Sequence, residues 1–132
     1  MALTDDDARA LADGFLDTAR DIDQYLDDNW GNISRAEYET LSESASTLLR
    51  IGGKMTTLAV GLSIEEMADD SAELKATIAD ARKSLAKLKA VGKAIRVAAG
   101  LVDLATAIVS KDPKAIFKAA LGLHETVTEA GA

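Results

Sequence analysis

The chain has 132 residues and a net charge of −7, and 48% of its residues are hydrophobic. This is the length of one domain, and so acidic a chain is a poor partner for nucleic-acid phosphates. With no Cys and one His, the sequence excludes a disulfide scaffold, a thiol nucleophile and metal sites built from several Cys or His ligands. We expect one domain over residues 1–132, without nucleic acid, metal or cofactor.

The first predicted helix spans residues 5–29. Thr4 is a suitable N-cap, and the acidic residues 5–7 lie in the first turn, where the positive end of the helix dipole favours them. Apolar residues recur every three or four positions, which predicts one buried stripe: Ala8, Leu11, Phe15, Ala19, Ile22 and Leu26. We expect Gly31 or Asn32 to end this helix in the left-handed conformation.

The second predicted helix begins at Ser34. Ser34 and Glu37 have the spacing of a capping box, in which each side chain binds a free backbone amide near the other residue. An apolar stripe with heptad spacing follows: Leu41, Ala45, Leu48, Gly52, Met55, Ala59 and Leu62. Gly52 and Gly53 disfavour a helix interior by about 1 kcal/mol each relative to Ala. We therefore expect a close helix crossing or a kink there, with a loop as the alternative.

A second capping box, at residues 63–66, opens a heptad pattern over residues 64–110. An unbroken helix of that length would be about 70 Å long, whereas a compact domain of this size has a radius of gyration of about 14 Å. Either the bundle is elongated or the helix breaks near Gly92 or Gly100. We favour a break at Gly92, because the pattern changes from one-sided to apolar on most of the circumference near Val91.

The last predicted helix spans residues 113–129, with Asp112 as its N-cap and Pro113 at its first position. It is expected to bury Ile116, Phe117, Ala120, Leu121, Leu123 and Val127. Together with the apolar segment 94–109, it forms a C-terminal helical hairpin. The predicted fold is all-α: a four- or five-helix bundle of three long amphipathic helices plus this apolar hairpin.

The charges are divided unequally along the chain. Residues 1–80 contain 18 acidic and 6 basic residues, whereas residues 81–132 contain 4 acidic and 9 basic residues. We favour an internal match, in which the acidic half packs near the basic half. The alternative is that the basic run from Arg82 to Arg96 forms a surface for an anionic membrane or partner.

Arg96 and Asp103 lie within the apolar segment, about two helical turns apart and on the same side. A lone buried charge is unfavourable, so either this side is exposed or the two residues belong to a polar lock or a lumen-facing pair. We favour the exposed side.

No catalytic constellation is evident. His124 is the only possible histidine base, and no activated nucleophile accompanies it. The apolar hairpin, by contrast, offers more apolar surface than a chain of this length readily hides. We therefore expect a non-enzymatic protein, without a small-molecule substrate, that self-associates as a homo-oligomer or docks a partner helix. The expected contact residues are Leu101, Leu104, Ile108, Phe117 and Leu121.

Long amphipathic helices followed by an apolar hairpin resemble, in outline, the architecture of α-helical pore-forming proteins. The alternative function is therefore a membrane-active protein in which the basic run meets anionic lipid and the hairpin 94–123 inserts. The segment 94–109 is shorter than a spanning helix and carries charges, and the acidic first residues differ from a signal peptide. We expect a cytoplasmic protein.

Overall fold

The computed structural model describes residues 4–57 and 71–131 of the chain. Within these ranges the regular elements are five α-helices and one short 3₁₀ turn (Trp30–Asn32): α1 (Asp5–Asp28), α2 (Arg35–Thr57), α3 (Ser71–Lys87), α4 (Val91–Ser110) and α5 (Pro113–Gly131). The predicted all-α class is confirmed. The capping box predicted at residues 63–66 and the stripe positions Ala59 and Leu62 lie outside the described residues.

Local capping chemistry fixes three helix starts where the sequence predicts them. The backbone N–H of Asp7 donates to Thr4 Oγ1 at 3.2 Å, and the N–H of Thr4 donates to the Asp7 carboxylate at 3.0 Å. Ser34 and Glu37 make the same reciprocal pair at 3.2 and 3.0 Å. The Asp112 carboxylate accepts two backbone amides of the first turn of α5, at 3.1 and 3.4 Å.

The end of α1 differs from the prediction. Neither Gly31 nor Asn32 is left-handed: Lys111, with a φ of 59°, is the positive-φ residue among those described. Instead, both the backbone N–H and the side-chain amide of Asn29 donate to the Tyr25 carbonyl, at 3.1 and 2.9 Å. Because these bonds satisfy a terminal carbonyl of α1, the chain turns into the 3₁₀ segment without a left-handed residue.

The two consecutive glycines of α2 lie within a continuous helix, so the loop alternative is wrong. A Cβ built on Gly52 would lie 2.9 Å from Leu16 Cδ2 and 3.4 Å from the Ala12 carbonyl oxygen, whereas one on Gly53 would meet nothing within 4 Å. The close crossing expected from the sequence therefore exists between α1 and α2. It requires a glycine at position 52 and not at position 53.

The predicted break in the long helical pattern is confirmed, and it lies just before Gly92, the favoured position, and not near Gly100. The chain leaves the helix at residues 88–90, and Gly92 is the second residue of α4. Gly100 lies mid-helix, where an added Cβ would be 2.9 Å from Leu123 Cδ1 of α5. The break separates the one-sided stripe of α3 from α4, which buries residues on several sides.

The helix α4 is the most enclosed element of the described chain. It packs against α2, α3 and α5 and also contacts α1, while α1 pairs with α2 and α3 lies against α1 and α5. Nine of its residues are buried: Val91, Ala94, Val97, Ala98, Leu101, Leu104, Ala105, Ala107 and Ile108. The chain thus conceals this apolar segment within its own bundle, contrary to the expectation that it exceeds what the chain can hide.

Candidate docking surfaces

Exposed large apolar side chains occur at three places in the described chain. Trp30 and Tyr38 lie at the connection between α1 and α2, Leu49 stands alone on α2, and Phe117 and Leu121 lie on α5. Single exposed apolar residues are ordinary on soluble proteins, whereas neighbouring ones mark interaction sites more often. The two paired sites are therefore the candidates.

In the fold, some of the contact residues predicted from the sequence are buried and others are exposed. Leu101, Leu104 and Ile108 are fully buried, because α4 is covered by neighbouring helices on several sides. They cannot contact a partner in this conformation, so their prediction as surface residues is corrected. Phe117 and Leu121, expected to be buried in α5, are instead 44% and 47% exposed. They are the part of the predicted contact set that solvent reaches.

The exposed face of α5 has two large apolar side chains next to a notch at Gly122. Phe117 and Leu121 are four residues apart and lie on the same side of the helix. They border a hollow of about 170 Å³ that α3 closes with Leu74 and Thr77. The neighbouring Gly122 is exposed, and a Cβ there would meet nothing within 4 Å. A large side chain from a partner therefore finds room beside Leu121.

Opposite charges flank these apolar residues along the same face. Lys114 and Lys118 lie toward the start of α5, and Glu125 and Glu129 lie toward its end; all four are exposed. Arg96 of α4 donates to the Glu129 carboxylate at 3.2 Å. Among the described residues, neither Lys118 nor Glu125 has an ion pair. The face therefore changes from basic to acidic across Leu121.

The polar pair of the apolar segment lies on the exposed side of α4. Both Arg96 and Asp103 are exposed, which confirms the favoured interpretation, and the polar lock is wrong. The ion pair between Arg96 and Glu129 joins α4 to the last turns of α5. His124 is also exposed and borders the hollow on α5.

The aromatic site that Trp30 forms between α1 and α2 was not predicted from the sequence. Trp30 is 69% exposed. Its ring meets that of Tyr38 edge to face, with the centroids 5.5 Å apart and the planes at 88°. Ile33 and Arg35 complete a hollow of about 240 Å³. The available signal was the position of Trp30, just after the end of α1.

The expected match between the acidic and basic halves holds at one residue of the basic half, Arg82 of α3, which pairs with α1; the second pair between these helices, Lys75 with Asp7, lies within the acidic half. Arg82 Nε donates to Asp21 at 2.7 Å, and its guanidinium also lies 3.7 Å from Asp17, while Lys75 Nζ lies 3.5 Å from Asp7. The hydrogen bond with Asp21 raises the pKa of Arg82 above its usual value, with burial acting in the opposite direction. The Arg82–Asp21 pair borders an open groove of about 630 Å³ between α1 and α3.

Four lysines of the basic run do not take part in this charge match. Lys83, Lys87, Lys89 and Lys93 are exposed, and within the described chain none of them forms an ion pair. The surface interpretation of the basic run therefore stays a prediction for these four residues.

Residues 4–57 and 71–131 contain neither a metal-ligating cluster nor a helix that could span a membrane. No group of three or more side chains of the metal-ligating types lies close enough together there to hold an ion. None of the helices in this part of the chain has the length and apolar character needed to cross a membrane.

Comparison with known proteins gives no relationship from which a function might be inferred. No protein family, curated protein or solved structure matches this chain.

Proposed function

We propose that this protein is a non-enzymatic helical interaction protein that self-associates through the exposed face of α5. One observation carries the proposal: Phe117 and Leu121, each almost half exposed, lie one turn apart on the same helix. Aromatic and aliphatic side chains held on a rigid helix are typical anchors of protein interfaces. The notch at Gly122 and the flanking charges supply complementary features beside them.

The proposed contact is smaller than that expected from the sequence. Leu101, Leu104 and Ile108 belong to the core, so the interface consists of one helix face rather than a whole hairpin. The strip from Lys114 to Glu129 is about 22 Å long at 1.5 Å per residue. Interfaces burying less than about 1,200 Å² are usually weak or transient. We therefore expect a dissociation constant of about 10 to 100 μM.

Sedimentation equilibrium of the full chain tests this proposal. Between about 5 and 500 μM, a range that brackets the affinity of a small interface, the average mass of the wild type should rise toward that of a dimer. Leu121→Asp should stay monomeric, because it places a charge at the centre of the contact.

Leu49→Asp is the matched control. Leu49 is 48% exposed on α2, so the same substitution introduces the same charge at an equally exposed leucine. This variant should associate like the wild type, and circular dichroism should show equal helix content in all three proteins. A wild type that is monomeric at every concentration overturns self-association. Loss of association in Leu49→Asp but not in Leu121→Asp overturns the choice of surface.

A membrane-active function is the alternative, favoured by the four exposed lysines between positions 83 and 93. Insertion of the hairpin 94–123 would require α4 to leave the bundle, since Leu101 and Leu104 are fully buried. Release of dye from anionic vesicles, with zwitterionic vesicles as the control, tests this function. Release that is specific to anionic lipid and weakened by salt supports it, and no release from either vesicle rejects it. The cytoplasmic location stays a prediction that accompanies the leading proposal.

A further inference from the structure

We infer that the α5 face pairs with the same face of a second copy, antiparallel, about a two-fold axis passing between Leu121 and Gly122. The inference rests on the proposed function and specifies the surface that the second copy offers. Self-association by itself is also compatible with α5 contacting a different apolar site, such as Trp30 or Leu49. That contact would be heterologous and would build an open chain or a ring, whereas two identical faces close a dimer.

The order of charges along α5 carries the orientation. Reading along the exposed face, Lys114 and Lys118 precede Leu121, and Glu125 and Glu129 follow it. In the antiparallel register, Lys118 lies opposite Glu125 of the second copy, and Lys114 lies opposite Glu129. A parallel pairing would place like charges opposite each other along the whole face, which is unfavourable.

The central pairs determine the register. Glu129 is already bonded to Arg96 within its own chain, so it contributes less to a partner. Lys118 and Glu125 are exposed, and in the described part of the chain neither has an ion pair. Because of the two-fold symmetry, the Lys118–Glu125 contact occurs twice, once on each side of the axis. A shift of one helical turn would separate both pairs.

The shape of the face fits the same register. With the axis between positions 121 and 122, Leu121 of one copy lies over Gly122 of the other. The space around Gly122 is open, and a residue without Cβ lets a facing side chain approach the helix backbone closely. Leu121 of each copy therefore meets the open space at Gly122 of the other.

Charge reversal gives the first test, by sedimentation at low salt. Lys118→Glu and Glu125→Lys should each weaken the dimer about tenfold, because each converts two favourable pairs into two repulsive ones. The double variant Lys118→Glu/Glu125→Lys should recover wild-type association. As the matched control, reversing the charge of Arg50, an exposed residue of α2 without an ion pair among the described residues, should leave the dimer unchanged. Equal affinities for the wild type and both single variants overturn the register.

Disulfide trapping gives the second test, and it is unambiguous because the chain has no native Cys. Gly122→Cys lies beside the axis and should cross-link to its own counterpart. Lys114→Cys should not, since the two copies of position 114 would be about 22 Å apart along the helices, and a disulfide spans at most about 7 Å between Cα atoms. An equimolar mixture of Lys114→Cys and Glu129→Cys, two positions that lie opposite each other in this register, should cross-link as a mixed dimer.

Failure of the antiparallel pairing and failure of self-association give different results. If Lys114→Cys cross-links to itself as readily as Gly122→Cys, the pairing is parallel; the inference fails while self-association through α5 stands. If the wild type dimerises and Leu121→Asp does not, but neither Gly122→Cys nor the mixture cross-links, α5 contacts a different surface and the inference again fails. If the wild type is monomeric throughout, the proposed function and the inference fail together.

Discussion

The two adjacent glycines of α2 allow a sharp test of the helix crossing in the core. Replacing either with Ala gains about 1 kcal/mol of helix propensity, so the two substitutions differ only in what the new methyl group meets. At Gly53 it meets open space, whereas at Gly52 it would lie 2.9 Å from both Cγ and Cδ2 of Leu16 and 3.4 Å from the Ala12 carbonyl oxygen. Overpacking of this kind typically destabilises a protein by about 1 to 3 kcal/mol.

We therefore expect Gly53→Ala to raise the free energy of unfolding by about 1 kcal/mol and Gly52→Ala to lower it by about 1 kcal/mol. The expected difference between the variants is about 2 kcal/mol. Urea denaturation followed by circular dichroism measures both values, and an unchanged dependence on urea concentration verifies that the same unfolding transition is compared. If Gly52→Ala is as stabilising as Gly53→Ala, the two helices do not pack closely at this point.

Three further substitutions test other parts of the structure by urea denaturation. Arg82→Ala should destabilise the fold by about 1 kcal/mol, and less at high salt, because it removes the half-buried pair with Asp21; an effect independent of salt would contradict this assignment. Lys111→Gly should stabilise the fold by about 0.5 to 1 kcal/mol, because Gly adopts the left-handed conformation of this residue without strain; no gain would argue against that conformation. Tyr25→Phe should be neutral or stabilising by about 1 kcal/mol at pH 7, because the Tyr25 hydroxyl is buried without a hydrogen-bond partner among the described residues. Burial raises the pKa of Tyr25, with a smaller contribution from Glu37. Because Tyr25 then ionises at a lower pH in the unfolded state than in the folded state, the fold should lose stability as the pH rises above about 10 through the folded-state pKa, and Tyr25→Phe should reduce this alkaline loss.

The helix starts were predictable because their chemistry is local. Thr4, Ser34 and Asp112 each bind amides within three residues in sequence, so the relevant partners can be found in the sequence itself. The end of α1 was less predictable, because Asn29 competes with the following glycine to satisfy the terminal carbonyls. Glycine in the sequence indicates where a left-handed residue is easiest, and it does not show whether one is needed.

The position of the break after α3 is marked in the sequence by the hydrophobic pattern and not by a helix-breaking residue. Residues 88–90 have no helix-breaking residue type. The pattern nevertheless changes near Val91, which is the first residue of α4.

Which of the predicted contact residues are buried and which are exposed depends on the assembled bundle. Leu104 and Leu121 are alike in size and hydrophobicity, and both lie on helices with apolar character. One is fully buried and the other is 47% exposed, because α4 lies between other helices while α5 lies at the edge. Periodicity identifies which residues share a helix face. It does not identify which face is covered by the rest of the chain.

The central place of α4 has a consequence for how the protein is made. The side of α2 that packs against α4 is complete once Thr57 has been synthesised, yet its covering helix ends at Ser110. At about 10 residues per second, the ribosome needs about 5 s to make the intervening segment. During that interval the side of α2 that α4 later covers lacks that cover.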